Sequence, residues 1–163
     1  TPRGRTRSAV AVRESEAGVP AVADPGSRLV LAAHQQGIEV VPLVGPSSIL
    51  LAVMGAGMNG QSFAFKGYLS AKRPQLAKDL KLLEKQVQRR GETQIFIETP
   101  YRNDAVFETA LQVLEPQTLF SIAVDLTLPT QLIKTHTIQQ WQKEEKPELH
   151  KRLAVFVVGK ALH

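Results

Sequence analysis

The sequence contains no cysteine, which excludes disulfides and thiolate metal sites from whatever it builds. Aromatic residues make up only 6% of it, with a single tryptophan. No apolar run approaches the length of a membrane span, and no secretory pattern opens the sequence. Nor do His, Asp and Glu occur at metal-ligand spacing, and internal repeats and low-complexity tracts are absent. Together these features lead us to expect a cytoplasmic protein that works without metal or membrane.

What is present is ordinary in amount and uneven in placement. At 163 residues, 43% hydrophobic and 21% charged, the chain is long enough to bury a core. Its net charge of +5 points to nucleic acid until it is located. Arg3, Arg5, Arg7 and Arg13 all precede the first acid, Glu14, and account for four of the five charges. The body of the chain is nearly neutral, and residues 1–14 read as a basic tail with a short β-prone run, AVAV.

Beyond the tail, glycine- and proline-rich turns punctuate helix and strand patterns. Asp24-Pro25-Gly26 reads as a helix start, with Asp24 as N-cap, and Gly37 as its end. The apolar face of that helix is Leu29, Val30, Ala32 and Ala33. IEVVPL (38–43) has the continuous apolar character of a strand covered on both faces. Ser47 or Ser48 then caps a helix ILLAVMGAG, in which Leu50 and Met54 are expected to pack in the core. A boundary near 60–70 separates this region from a second set of elements, and FAFKGYL reads as a linking strand.

Residues 73–90 form an amphipathic helix with Leu76, Leu80, Leu83 and Val87 on one face. Its lysines and arginines, Lys78, Lys81, Lys85, Arg89 and Arg90, are expected to be a solvated surface rather than a phosphate track. TQIFIE (93–98), LFSIAVDL (119–126), QLIKTHTI (131–138) and LAVFVVG (153–159) read as strands. A helix from Asp104 to Leu114, capped by Asn103, and a short helix QQWQKE lie among them. The class is α/β, drawn as two sheets sharing a linker. His34 on a helix and His136 on a strand are read as surface or packing residues.

The turns at the strand ends, 18–20, 45–48 and 98–103, combine small and hydroxyl residues that let a ligand approach the backbone closely. Taken in order, SEAGVPAVADPG, VVPLVGPSS, GYL, TQIFIETPYRN, IAVDLT and VFVVGK resemble the tetrapyrrole methylase superfamily. Within it they are most similar to the branch holding the ribosomal small-subunit RNA ribose (cytidine-2′-O) methyltransferases. The resemblance spans roughly residues 15–160.

It implies an S-adenosylmethionine-dependent methyltransferase of two α/β domains, the cofactor lying in the cleft between them, and a homodimer acting on RNA. By position, Ser15, Glu16, Ala17, Gly18, Val19 and Pro20 would line the cofactor from the first domain, as would Ser47 and Ser48. Glu98, Thr99, Leu126 and Thr127 would do so from the second, the last two by backbone contacts running on from Asp125. Tyr101 and Arg102 would stand at the substrate mouth. Most members of the branch carry aspartate where this chain has Glu16. The family's opening glycine-rich strand and loop have no counterpart in the 14 residues ahead of Ser15. The expectation is therefore the later part of a first domain, 15–62, joined to a complete second domain with a mixed sheet, 63–163.

Glu16, Glu98 and Asp125 are the carboxylates near these turns, and none is assigned as a base. Two other readings stay open. One is a truncated, non-catalytic domain that dimerises and binds nucleic acid through the arginine tail. The other is a methyltransferase acting on a tetrapyrrole, ranked lower because the A-G-x-P/D-P-G form replaces the G-D-P expected of those enzymes.

Overall fold

Leucine spacing makes the longest helix. Leu76, Leu80, Leu83 and Val87 recur every three or four residues in α3 (Arg73–Arg90), and all four are buried. Pro74 sits in the first turn, where its missing N–H costs nothing, and Gly91 ends the helix with φ +65°. The computed structural model describes residues 26–162. They fall in two compact units divided between Ser47 and Ser48.

In the second unit, the apolar runs at 93, 119 and 154 become the centre of one five-stranded sheet. Its strands are β1 (Phe63–Tyr68), β2 (Thr93–Ile97), β3 (Leu119–Val124), β4 (Leu132–Thr137) and β5 (Ala154–Gly159). They lie in the order β1-β2-β5-β3-β4. β1 pairs parallel with β2, whereas β5 runs antiparallel to both β2 and β3, and β3 antiparallel to β4. The chain is thus α/β with a mixed sheet; among the described residues the strands form a single sheet, not two.

Alternation along the central strands sends side chains to two faces. On one face Phe96, Phe156 and Phe120 stack in a row, with centroids 5.2 and 5.9 Å apart. Phe107 of α4 (Asn103–Val113) and Trp141 of α5 (Ile138–Trp141) close over that row beside α3. Trp141 Nε1 donates to the Phe120 carbonyl at 2.7 Å, satisfying the indole inside the core. Thr137 and Gln140 form a capping box that starts α5.

The other face is covered by α2 (Ser48–Ala56). Sequence reasoning placed Leu50 and Met54 in the core; instead they are 52% and 78% exposed. The inner side is shared by small residues and by Ile49 and Val53, which pack against the same cluster. Ala52 and Ala56 are buried, and a Cβ on Gly55 would stand 2.9 Å from Ile133 Cγ2. At Gly55 the helix thus approaches the sheet too closely to admit a larger side chain.

Of the first unit, the structure describes α1 (Ser27–Gln35) and the segment after it. The helix starts at Ser27, with Gly26 at the cap position and no side-chain cap bond. Gly37, at φ +67°, donates to the His34 carbonyl, and Ile38 donates to that of Ala33 at 2.9 Å. This pair of bonds is the Schellman motif expected of a glycine there. The strand read at 38–43 is absent. Those residues are irregular, and Val41, Leu43 and Val44 are 66%, 81% and 108% exposed. A strand needs a neighbour to take its N–H and C=O groups, and no described residue pairs with this segment. The tail, the AVAV run, Asp24 and Pro25 lie outside the described residues.

Candidate functional site

Because β1, β2 and β3 run parallel to one another, their carboxyl ends share one edge of the sheet. The amino ends of the antiparallel β4 and β5 meet them there. Ligands of open α/β sheets bind outside such strand ends. The loops at this edge are 69–72, 98–102, 125–131 and 150–153, and three side chains tie them together.

Arg102 is the first tie. Its Nη1 lies 3.2 Å from Glu98 Oε2, and Nη2 donates to the Ser70 carbonyl at 3.1 Å, joining the loop after β1 to that after β2. The Glu98 side chain is only 2% exposed and turned into this network, its Oε1 accepting from the Thr99 amide at 2.7 Å. Any ligand contact at Glu98 therefore runs through the backbone, whereas Thr99 beside it is exposed. Arg102, placed by resemblance at a substrate mouth, has its guanidinium engaged inward. Tyr101 beside it is 70% exposed, with its ring edge-on to His150 at 6.1 Å.

The second tie is Asn103. Expected as a helix cap, it lies inside the first turn of α4, makes no cap bond, and is wholly buried. Its Nδ2 donates to the carbonyls of Leu149 and Arg152, at 3.0 and 2.7 Å. Lys151 N donates to the Pro100 carbonyl at 3.1 Å, so two loops far apart in sequence are bonded to each other.

Arg152 is the third. Nε donates to Asp125 Oδ2 at 2.8 Å, Nη1 to the Glu148 carbonyl at 2.9 Å, and Nη2 to the Thr130 carbonyl. Thr130 Oγ1 also donates to Asp125 Oδ2, at 2.9 Å. The hydrogen bond from Arg152 holds the Asp125 carboxyl below its ordinary value of 3.8; burial pushes upward, and the Thr130 hydroxyl adds to the lowering. A carboxylate so engaged is a clamp, poorly suited to taking up a proton at neutral pH. Because its folded value is depressed, its contribution to stability is present above pH 3.8 and is lost as pH falls through the folded value. Unfolding midpoints in urea should therefore drop less steeply from about pH 4 to about pH 2 in Asp125→Asn than in the parent.

Asp125 holds φ at +48° and Thr127 at +70°, and Lys151 across the edge is at +59°. For a β-branched residue such as threonine this region is a true outlier, maintained only where the surroundings impose it. Here they do: Thr127 N donates to Gln131 Oε1 at 2.8 Å, and Leu128 N to the Asp125 carbonyl at 3.0 Å. Between them, Leu126 tucks its side chain against the α2 face of the core, and its own amide and carbonyl take no hydrogen bond among the described residues. Among the described residues this leaves one unpaired donor and one unpaired acceptor at the sheet edge, the kind of group that a ligand read by backbone contacts would use.

The edge therefore brings together Glu98, Thr99, Tyr101, Arg102, Leu126 and Thr127 from the sequence-derived set. Ser48 opens α2 in the same unit, and Ser47 closes the other unit. Ser15, Glu16, Ala17, Gly18, Val19 and Pro20 lie outside the described residues. Sequence reasoning missed Asn103 as a tie, along with Thr130, Gln131 and Arg152; their partners lie up to 49 residues away, and no local pattern marks them. Among the described residues no group of His, Asp and Glu is arranged to hold a metal ion, and no helix is long and apolar enough to cross a membrane.

Comparison with known proteins bears on the family and the fold. A relative named Ribosomal RNA small subunit methyltransferase I, from Vibrio cholerae, is 37% identical over 148 residues, covering 89% of this chain and 50% of the relative. Proteins of the same name from Escherichia coli O157:H7 and Mesorhizobium japonicum are 30% and 36% identical over 148 and 125 residues. They are covered over 50% and 41% of their lengths, so the chain spans about half the length of the curated relatives it matches. Among solved structures, one titled "Crystal structure of the methyltransferase CobJ" shares the fold. Its TM-score is 0.55 at 24% identity, over 88% of this chain and 62% of that one. The family described as Tetrapyrrole (Corrin/Porphyrin) Methylases matches residues 5–142, most of the sequence, and the chain belongs to that family.

Proposed function

We propose that the protein carrying this chain is an S-adenosylmethionine-dependent methyltransferase that modifies a ribose 2′-hydroxyl of small-subunit ribosomal RNA, working as a cytoplasmic homodimer. Family membership supports methyl transfer, and the names of the relatives support RNA as acceptor. The observation that carries the cofactor assignment is the Leu126 peptide, unpaired between two residues at positive φ.

In this reading the backbone of Glu98–Thr99 and Leu126–Thr127 holds the nucleoside part of the cofactor. Ser15–Pro20, Ser47 and Ser48 are assigned to the same ligand by resemblance. When bound, the sulfonium supplies an electrophilic methyl group. The chain's own work is positioning. Arg102, Asn103 and Arg152 fix the loops before any ligand arrives, so binding energy is not spent on ordering them. Neither Glu98 nor Asp125 serves as the base, since each carboxylate is committed to an arginine.

Titration calorimetry with S-adenosylhomocysteine on the protein at its full length tests the proposal. Saturable one-site binding is the expected result. Absence of heat at millimolar ligand, with the protein shown to be folded, would overturn it.

A further inference from the structure

We infer that the outward face of α3 is the surface that carries the sugar–phosphate backbone of the RNA. This rests on the reading of RNA as acceptor and gives that reading a place on the chain. Opposite the buried stripe of α3, Lys78, Lys81, Lys85 and Arg89 are all exposed and recur every three or four residues. Side chains so spaced are neighbours on one helix face, and like charges at i,i+4, as Lys81 and Lys85 are, destabilise a helix left alone. The arrangement becomes favourable when a polyanion lies across it.

Counter-charges on the helix are spent elsewhere. Asp79 accepts from the Ser70 amide and from Gln75 Nε2, both at 2.9 Å. Glu84 is buried, and its Oε1 accepts from the Glu115 amide at 2.8 Å and from the Thr118 hydroxyl. Among the described residues Lys78, Lys81 and Lys85 form no ion pair, whereas Lys134, Lys146 and Arg152 all do. The three unpaired lysines border an open groove of about 490 Å³ with Leu82, Gln88 and two acidic residues, the exposed Glu115 and Glu84, whose Oε1 is taken by the Glu115 amide and the Thr118 hydroxyl. Leu82, 57% exposed between the lysines, offers apolar surface for ribose carbons.

Placement favours the same partner. α3 begins just past the carboxyl end of β1, at the edge where the loops are tied, and returns the chain to the start of β2. The row from Lys78 to Arg89 extends about 16 Å down the helix. An RNA with its reacting nucleotide at the edge would lay flanking nucleotides along this row. The sequence pattern alone suggested a solvated surface; the unpaired lysines and the groove argue otherwise.

The test is binding of a small-subunit ribosomal RNA fragment to the full-length protein, followed by fluorescence anisotropy at several salt concentrations. K81Q/K85Q is expected to weaken binding about tenfold and to make the slope of log affinity against log salt shallower by about 1.4, two phosphate contacts at about 0.7 each. K81R/K85R, which keeps the charge, and K66Q/K143Q, which removes two charges elsewhere, should stay within about twofold of the parent. Parent-like affinity and slope in K81Q/K85Q would overturn the inference, as would an equal loss in K66Q/K143Q. A parent that binds S-adenosylhomocysteine but no RNA overturns this inference and leaves the cofactor reading standing. Loss of RNA binding in K81Q/K85Q supports the surface even where cofactor binding fails.

Discussion

Phe156→Ala is expected to lower the unfolding free energy by about 3–5 kcal/mol, the largest effect of any single truncation proposed for this chain. The residue lies on β5, fully buried, with Phe96 stacked on one side and Phe120 on the other. Its backbone neighbours are Phe96 on β2 and Ile122 on β3. Removing the ring would open a cavity at the middle of the sheet, beneath α3 and α4, where rigid strands cannot close it. Against a total stability of about 5–15 kcal/mol typical of such domains, the loss leaves little margin. The denaturant midpoint should fall sharply with an unchanged slope. Phe63→Ala, on the edge strand and already 38% exposed, should cost far less.

Asn103→Ala should cost about 2–4 kcal/mol, because two carbonyls, the buried one of Leu149 and the partly buried one of Arg152, lose their donor together. Beyond stability, the loop preceding β5 would come loose from the turn after β2. The bond from Lys151 N to the Pro100 carbonyl reports this directly. Hydrogen exchange at the Lys151 amide should speed up in the variant by more than global destabilisation explains. Asn103→Asp should be at least as damaging, for it sets a carboxylate against two carbonyl oxygens. A variant with parent-like midpoint and exchange would show that the two loops are held by other contacts.

How much of this was legible in the sequence depended on whether the cause was local. The α3 helix follows from its leucine spacing, and its stop from Gly91; both ends fall where the pattern puts them. β2, β3, β4 and β5 follow from their apolar or β-branched runs. The same logic failed at 38–43. A continuous apolar run states a preference for burial and names no partner, and the segment has none among the described residues. Leu50 and Met54 were misplaced for a related reason. In a helix apolar on every side, only the sheet's demand for close approach decides which side faces in.

The edge loops were recognisable from their motifs as glycine-, proline- and hydroxyl-bearing turns at strand ends, while the ties that hold them were not. Arg152 reaches back 27 residues to Asp125, and Asn103 forward 49 to Arg152. Asn103 also carried a misleading local signal, since asparagine ahead of a helix usually caps it. The positive φ of Thr127 had no signal at all, because a glycine would be the expected residue there.

The place of β5 has a further consequence for how the molecule is made. Among the described residues the segment 154–159 is the only one hydrogen-bonded to both β2 and β3. Until a ribosome has delivered it, the nascent chain owns two disconnected ribbons, β1 with β2 and β3 with β4, each with an apolar flank open to other chains. Assembly must therefore wait for almost the last residues described, a late and long-range closure that slows folding and calls for protection meanwhile.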